Sequence, residues 1–467
     1  MQTTQERGGN AQSPRRRRWK LHLGWLSVVV VFFFARPYPA FSQSTTPPTE
    51  PTPPATQQSQ QAPQQPQQQP APQSQPRQYL FGDWDGERTA LADKGVTFDF
   101  FYVADLQANP TGGLQQTYAG WGRIRGTMDV DFGKLKGWHG LSFHVTGLWQ
   151  FGGNLGERIG VLANPSGLVS AHTTRLDSFW LQEALFHDHL FLMAGQMAGL
   201  DFYGNQLYGG SYLIEPIDYA YGNLFSTTYE SFNPAGTPAV QAKVVIWKTL
   251  YVQAAVLSGN RNPYAQDPNG FHFKIADPPV FAFETGFTRH SEYLNGQTGD
   301  FDKKLYPAYY KFGATYNGGK FTDANGFVSR GNYLVYGSVN QALYRVQAGS
   351  SRGLDAMAGF DWSPNNLNVE NSQVTLGARY NGPIPARPQD AASLGFVYTH
   401  IGDPFQTIGI PAGAPALGTE KAIELNYAAN IRPYFLVQPV FQYYVDPGAN
   451  SRVANAAVFG FRTKVTF

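Results

Sequence analysis

The sequence predicts an all-β fold, a transmembrane antiparallel β-barrel of about 16 strands. Three observations lead to this fold class. First, only 15% of the residues are charged and 15% are aromatic, whereas about 25% of residues are charged in an average globular domain. Second, residues 121–132 alternate between polar and apolar side chains, which is the period of a β-strand. Third, no apolar run beyond the N-terminal region approaches the roughly 20 residues that a membrane-spanning helix needs.

As a strand, the stretch 121–132 would have two different faces. In a soluble sheet the apolar face would pack on a core, whereas in a lipid-embedded barrel it would face lipid and the charged face would line a watery lumen. The low charge and the aromatic content favour the barrel. The polar set consists of Arg123, Arg125, Thr127, Asp129 and Asp131, and the apolar set of Ile124, Gly126, Met128, Val130 and Phe132.

Residues 1–42 are typical of a secretory signal peptide. Basic residues at Arg15–Arg18 and Lys20 precede the apolar stretch Leu21–Phe34, and small residues at Ala40 and Ser42 mark the expected cleavage site. A membrane anchor is the alternative, but the apolar stretch is short for one. We therefore expect the protein to be exported and the signal to be removed after Ser42.

Residues 43–78 are rich in Pro, Gln, Ser, Thr and Ala, with Glu50 and Arg77 as their only charged residues. Such a composition cannot bury enough apolar surface to fold, and its prolines keep the chain extended. We predict a disordered periplasmic segment. It is either a spacer that reaches toward the cell wall or a tolerated tail without a role.

The remaining residues, 79–467, form the predicted barrel. Residues 85–94 favour a short helix, with Asp83 or Asp85 near its start and Gly95 at its end. The first strand opens at Val96. The further strands predicted from alternation cover 121–132, 141–151, 174–186, 190–199, 239–247, 250–258, 279–288, 308–317, 331–343, 354–362, 373–381, 393–401, 422–431, 434–445 and 456–467.

The lengths of the connections support this strand count. With both termini in the periplasm, a barrel has long outer loops and short periplasmic turns in alternation. Tight turns are predicted near residues 187, 248 and 432, but the polar link 289–307 is long where a short turn belongs. This link is either an elaborated turn or the sign of a miscounted strand pair. The predicted outer loops begin near residues 108, 152, 200, 259, 318, 363, 402 and 446.

Three motifs resemble a known family. The first is G-D-W-D-G-E-R-T-A-L-A-D-K-G-V-T-F at 82–98 with N-P-T-G-G at 109–113, followed by motifs at 133–155 and 438–450. Together they resemble the OprB-type carbohydrate-selective porins, although Asp85 replaces a Gly that is common there. The resemblance implies an outer-membrane barrel of a Gram-negative bacterium. It also implies facilitated diffusion of small carbohydrates, with no cofactor and no energy coupling.

The expected partners follow from this class of barrel. The last strand ends on Phe467, and a terminal Phe on an alternating strand is the signal that the barrel assembly machinery reads. Outer-membrane lipid would surround the barrel, small sugars would be its solutes, and a homotrimer is one oligomeric state that porins adopt. A net charge of +2 gives no electrostatic reason to expect a nucleic-acid partner.

The longest predicted loop, 200–238, carries acidic and Tyr residues but no Lys or Arg. In porins generally the loop at this third outer position folds into the barrel and narrows it. Acids facing bases across such a constriction would give a transverse field and donors and acceptors for sugar hydroxyls. The alternative is that these charges are merely solvated wall residues. The candidate pore-lining residues are Arg123, Arg125, Asp129, Arg175, Asp177, Lys243, Glu215, Asp218, Glu230, Tyr212 and Tyr219.

Signals for other functions are weak. The chain has no G-x-S-x-G, H-E-x-x-H or P-loop motif, so no enzyme is predicted. It has no Cys, and His144 and His187–His189 lack the clustered partners of a metal site. The alternatives that stay open are a general or ion-selective porin of the same fold, a structural or adhesive barrel, and an outer-membrane hydrolase.

Overall fold

The computed structural model describes residues 77–218, 235–247, 249–259, 267–273, 275, 278–289, 307–347 and 350–467. The predicted signal peptide and all of the Pro/Gln-rich segment except its last two residues lie outside this part of the chain. Two candidate pore-lining residues, Tyr219 and Glu230, also lie outside it. No helix in the described part is long and apolar enough to cross a membrane.

Sixteen antiparallel strands in the described residues close into one barrel, in which each strand pairs with its neighbours in sequence and the last pairs with the first. The predicted fold class is confirmed. Because the barrel closes with this number of strands, the link 289–307 joins β8 to β9 and no strand pair was miscounted. The strands are β1 Val96–Thr111, β2 Thr117–Asp131, β3 Leu141–Gly152, β4 Thr173–Leu185, β5 Leu190–Met197, β6 Thr237–Ile246, β7 Leu250–Leu257, β8 Val280–Thr288, β9 Ala308–Thr322, β10 Val328–Arg345, β11 Gly353–Trp362, β12 Glu370–Asn381, β13 Ala391–Ile401, β14 Thr419–Arg432, β15 Phe435–Val445 and β16 Ala456–Thr466.

Short helices occupy several connections. The α-helices are α1 Glu87–Asp93, α2 Phe132–Lys136, α3 Leu155–Ile159 and α4 Glu215–Asp218, and 3-10 turns lie at Trp84–Gly86, Gly199–Asp201, Gly209–Ser211, Asp403–Phe405 and Pro447–Ala449. The prediction that β2 extends to Phe132 is wrong by one residue. The Asp131 side chain accepts the N–H groups of Gly133 and Lys134, and this cap starts α2 in place of a further strand residue.

Two connections are shorter than predicted. Loops were expected near residues 108 and 318, where Gly or Pro follows the apolar pattern. Instead β1 stays paired with β2 as far as Asn109 and Thr117, and β9 stays paired with β10 as far as Thr322 and Val328. The ladder continues because the backbone hydrogen bonds do not require the side chains to alternate in polarity.

The two faces of the barrel are inverted relative to a soluble sheet. Large apolar side chains on the outer face are exposed, such as Trp149, Leu181 and Leu425. Polar and charged side chains on the inner face are buried, such as Glu284 and Glu424. This arrangement is expected of a barrel whose outer face is solvated by lipid and whose wall is polar inside.

The largest apolar cluster lies between the inner wall and two connections. We call these connections L2 (153–172, between β3 and β4) and L3 (198–236, between β5 and β6). Ile159 of L2 and Tyr212, Ile214 and Ile217 of L3 are fully buried and pack with residues of β11–β16 such as Tyr444. The fold therefore has its core against the inside of the barrel.

The N-terminal motif of the barrel rests on the seam between β1 and β16. The Arg88 guanidinium of α1 lies 3.6 Å from the ring centroid of Tyr79 and 4.5 Å from that of Trp84. Its Nη2 donates a hydrogen bond of 2.8 Å to the carbonyl oxygen of Phe467. The backbone N–H of Leu80 bonds to the oxygen of Thr466. These contacts tie the segment before β1 to the end of β16.

Candidate functional site

L3 is bound to the inner wall through a buried carboxylate of β14. The carboxylate of Glu424 accepts the backbone N–H groups of Leu213 at 2.9 Å and Ile214 at 2.7 Å. The side chains of Asn426 and Gln442 also donate to it. Because its oxygens are filled by donors from L3 and from its own wall, Glu424 fixes the position of the loop backbone.

A second buried carboxylate, on β8, binds the beginning of L3. Glu284 accepts the N–H of Gly204 at 2.8 Å, and the hydroxyls of Tyr251 and Tyr336 donate to it at 2.5 Å and 2.8 Å. The Lys311 ammonium lies 3.6 Å away and neutralises the carboxylate. Lys311 also donates to Asn205 of L3 at 2.6 Å.

L2 is bound in the same manner by β14. The carboxylate of Glu420 accepts the N–H groups of Leu162 and Ala163, both at 2.8 Å. It also accepts the N–H of Gly448, at 2.7 Å, from the connection between β15 and β16. Three inward carboxylates thus hold backbone segments against the wall.

An arginine of β16 joins the wall to α4 of L3. The Arg462 guanidinium contacts both oxygens of Asp105 on β1, at 2.8 Å and 2.9 Å, and lies 2.8 Å from a carboxylate oxygen of Asp218. It also donates to the carbonyl oxygen of Tyr212 at 3.2 Å. This buried network uses Asp218 as an anchor, although the sequence suggested it as a pore-lining residue.

Arg125 and Asp201 form a partly accessible ion pair at the start of L3. Their side chains approach to 3.6 Å and retain 26% and 30% of their exposed area. Arg125 lies on β2 in the polar set that the sequence assigned to the lumen. The pair thus brings a candidate base into contact with an acid of L3.

Arg123 has a different environment from Arg125, two residues away on the same face. Its Nε donates to Gln150 and its Nη2 to the carbonyl oxygen of Leu168, both at 3.0 Å. Leu168 belongs to L2, and only 5% of Arg123 is exposed. Arg123 therefore holds L2, and its charge also acts on Asp218 of L3.

Arg175 and Asp177 lie on β4, beside the C-terminal end of L3. Arg175 donates to the carbonyl oxygens of Asp267 and Gly236, and its Nε is 3.5 Å from the Asp177 carboxylate. The Asp177 carboxylate in turn accepts the N–H of Gly236. Both side chains are buried. Lys243, on β6, lies 4.9 Å from the ring centroid of Tyr251.

The remaining candidates of L3 are Tyr212 and Glu215. The Tyr212 hydroxyl donates to the carbonyl oxygens of Ala378 and Leu394 on the opposite wall, at 3.1 Å and 3.3 Å. Burial raises the pKa of Glu215 to about 8, and the nearby Asp218 carboxylate adds to the rise. Burial also raises the pKa of Asp218, against the lowering effect of Arg462. Burial and the Asp218 carboxylate both favour the uncharged form of Glu215.

Asp129 forms a polar chain with His144 across β2 and β3. The Asp129 carboxylate lies 2.6 Å from His144 Nδ1, and His144 Nε2 lies 2.9 Å from the Thr146 hydroxyl. The His144 ring stacks on Trp180 at 4.7 Å. The described residues contain no group of three His, Asp or Glu side chains arranged to hold a metal ion.

Sequence reasoning missed part of the site. Arg462, Glu284, Glu424 and Glu420 were not among the candidates, although each belongs to the polar set of its strand. The alternation of β16 could have identified Arg462, which pairs directly with Asp105. A further missed group is Arg345, Asp355 and Asn381 on the opposite wall, where Arg345 and Asn381 bind the Asp355 carboxylate at 2.5 Å and 2.6 Å.

The inner wall and its loops thus offer many hydrogen-bond donors and acceptors but no catalytic arrangement among the described residues. Carboxylates, guanidiniums, amides and hydroxyls all occur on it. Such groups can replace the water molecules that hydrate a solute rich in hydroxyls.

The known proteins that this chain resembles are porins. The family described as "Carbohydrate-selective porin, OprB family" matches residues 115–467. Porin B of Pseudomonas aeruginosa is 27% identical over 436 residues, which cover 84% of this chain and 91% of that protein. The putative porin QuiX of Acinetobacter baylyi is 24% identical over 84% of this chain and 94% of that protein.

A solved structure supports the fold. The high-pH structure of Pseudomonas putida OprB has a TM-score of 0.75 and 22% sequence identity, covering 84% of this chain and 99% of that chain. The family and the barrel indicate a channel rather than an enzyme, and they imply the outer membrane of a Gram-negative bacterium. The closed barrel of sixteen strands and the match over 115–467 lead to one conclusion: the chain belongs to the OprB family of carbohydrate-selective porins.

Proposed function

We propose that the chain is an outer-membrane porin through which small carbohydrates diffuse passively, in a water-filled barrel that the inward-folded L3 narrows. The observation that carries this proposal is the binding of L3 backbone N–H groups by Glu424 and Glu284. These bonds hold the loop across the inside of the wall, where it reduces the open cross-section. The family match supports carbohydrates as solutes.

The proposed constriction has its most accessible charged pair at Arg125 and Asp201. Among the described residues, Arg125 of the wall pairs with Asp201 of L3, and both side chains keep access to solvent. A passing sugar can accept hydrogen bonds from the guanidinium and donate them to the carboxylate. All eleven candidate residues, Arg125 included, stay proposals as pore-lining residues. The contacts of Arg123, Arg175 and Asp177 favour a role in holding loops.

Partners and processing are also proposals. We expect export through the signal peptide, a disordered segment at 43–78, insertion by the barrel assembly machinery through Phe467, and surrounding outer-membrane lipid. A homotrimer is one oligomeric state to be tested. Size-exclusion chromatography with light scattering of the detergent-solubilised protein measures the number of chains directly.

Liposome swelling tests the proposed transport. Vesicles that contain the purified protein are diluted into isotonic glucose, a disaccharide or a zwitterionic amino acid of similar size to glucose. Faster swelling in the monosaccharide than in the size-matched amino acid supports a carbohydrate channel. Equal rates would favour a general porin of the same fold, and no swelling would contradict a channel.

A further inference from the structure

The inner wall carries a compact block of oxygen-bearing side chains where β11 ends and β12 begins. The strand register places Asp361 opposite Gln373, and the backbone N–H of Ser363 bonds to the oxygen of Asn371 at 2.8 Å. Side chains directly opposite each other in an antiparallel pair have Cβ atoms about 4.5–5.5 Å apart. Asp361, Ser363 and Gln373 are all at least 98% buried.

Several oxygens of this block have no hydrogen-bond partner. They are both carboxylate oxygens of Asp361, the hydroxyl of Ser363 and the amide oxygen of Gln373. The Gln373 amide nitrogen donates to Thr399 at 3.0 Å, which leaves its oxygen as the unbonded atom. The backbone N–H of Gln373 lies near Asp361 but forms no hydrogen bond of acceptable geometry.

The block also concentrates negative charge. The Glu370 carboxylate is close enough to Asp361 to interact with it electrostatically. No Lys or Arg among the described residues forms an ion pair with Asp361, in contrast to Glu284, which Lys311 neutralises. A buried carboxylate with no cation beside it and only one backbone N–H nearby is strongly disfavoured, so a charged group that binds here would be a cation.

We propose that Asp361, Glu370, Ser363 and Gln373 bind a divalent cation, Ca²⁺, on the inner wall beside the 363–369 connection. Carboxylate, amide and hydroxyl oxygens are the ligands that Ca²⁺ prefers, and two carboxylates balance its charge. Ca²⁺ fits better than Mg²⁺, because it accepts irregular sets of neutral oxygens while Mg²⁺ retains its water and demands octahedral geometry. With two acidic ligands, the site differs from clusters of three, which the described residues lack.

Calcium titration of the whole barrel tests the proposal. The purified protein in detergent is freed of metal with EDTA, and Ca²⁺ and Mg²⁺ binding are measured by isothermal titration calorimetry. We expect one Ca²⁺ per chain, with a Kd of about 10⁻⁴–10⁻³ M as in extracellular sites. We expect Asp361→Asn to weaken Ca²⁺ binding at least about tenfold, because affinity follows the charge of the ligands. Absence of Ca²⁺ binding by the wild type overturns the proposal.

A matched control and thermal unfolding distinguish this site from other acids. Asp85 is exposed and lies in the 3-10 turn before α1, far along the chain from the block, so Asp85→Asn should leave Ca²⁺ binding unchanged. Ca²⁺ should raise the unfolding temperature of the wild type and of Asp85→Asn but not that of Asp361→Asn. In EDTA, Asp361→Asn should be more stable than the wild type, because it removes a buried charge. If Asp361 instead shares a proton with Glu370, Ca²⁺ shifts none of these temperatures, and the site is refuted.

Discussion

Neighbouring residues on one face of a strand have different roles in this barrel. Arg123 and Arg125 both point inward from β2, as their alternation with Ile124 predicts. Arg123 is buried and donates to the carbonyl oxygen of Leu168, whereas Arg125 pairs with Asp201 and keeps access to solvent. The face of each residue follows from its position in the strand, but its role depends on which loop covers it.

Replacing each arginine separately tests this assignment. Arg125→Ala should shift the reversal potential in a salt gradient toward cation selectivity, because Asp201 then lacks its counter-charge in a channel that focuses electric fields. Sugar block of the current should weaken several-fold. Arg123→Ala removes an equal charge from the same strand but should mainly increase current noise, since it frees L2.

The barrel of both variants should still assemble, as judged by heat-modifiable mobility on gels. Equal reversal potentials for wild type and Arg125→Ala, with normal folding, would show that Arg125 is only a solvated wall residue. A stronger selectivity shift in Arg123→Ala than in Arg125→Ala would reverse the two roles.

At the scale of elements, L3 depends on single acceptors in the wall. Glu424→Gln keeps the size of the side chain but turns one acceptor oxygen into an NH₂ group, which faces a backbone N–H of Leu213 or Ile214. Loss of such charge-assisted bonds costs about 1.5–3 kcal/mol. We expect L3 to detach part of the time, so that single-channel conductance rises and fluctuates.

The corresponding change in L2 is the control for that experiment. Glu420→Gln weakens the bonds to Leu162 and Ala163 but leaves the bonds of Glu424 to L3 intact. If L3 sets the narrowest part, Glu424→Gln should raise conductance more than Glu420→Gln. A conductance of Glu424→Gln equal to that of the wild type would show that L3 does not limit the current.

Strands could be predicted from the sequence because lipid and water impose opposite faces on every strand. The prediction for β3, 141–151, differs from Leu141–Gly152 by one residue, since its alternation runs to both ends. The contacts of the loops could not be predicted in the same manner. Nothing local in the sequence pairs Arg462 with Asp218, or Glu284 with Gly204, because these contacts depend on how distant segments fold across the barrel.

At the scale of the whole molecule, the predicted topology places the connections that follow odd-numbered strands on the outer side of the membrane. The connections after β9 and β13 are two of these. The chain has no Cys, so each introduced cysteine is the single thiol of the protein that a reagent can label. Phe327→Cys and Ile408→Cys, both at exposed positions, should react with an impermeant thiol reagent on whole cells, and Leu135→Cys in α2 should not. Gly160 in L2 is a poor position for an introduced cysteine. It has a φ of +76°, and a Cβ there would lie 2.5 Å from the Leu114 side chain. The reverse labelling pattern would invert the topology.

The Pro/Gln-rich segment should be dispensable for the barrel. Its composition gives it little apolar surface to pack, so deletion of residues 45–76 should leave assembly and conductance unchanged. Heat-modifiable mobility and bilayer conductance of the deletion variant measure both. Loss of the heat-modifiable form would show that the segment contributes to folding.

The proposed carbohydrate-selective channel can be tested by the ion current through single molecules in a planar bilayer. Ion current is recorded while glucose is added to one side, and then an uncharged polyol of similar size as the control solute. We expect stable channels whose current falls saturably with glucose and less with the control. Channels that glucose does not block would contradict selectivity for carbohydrates, and the absence of channels would contradict the porin function itself.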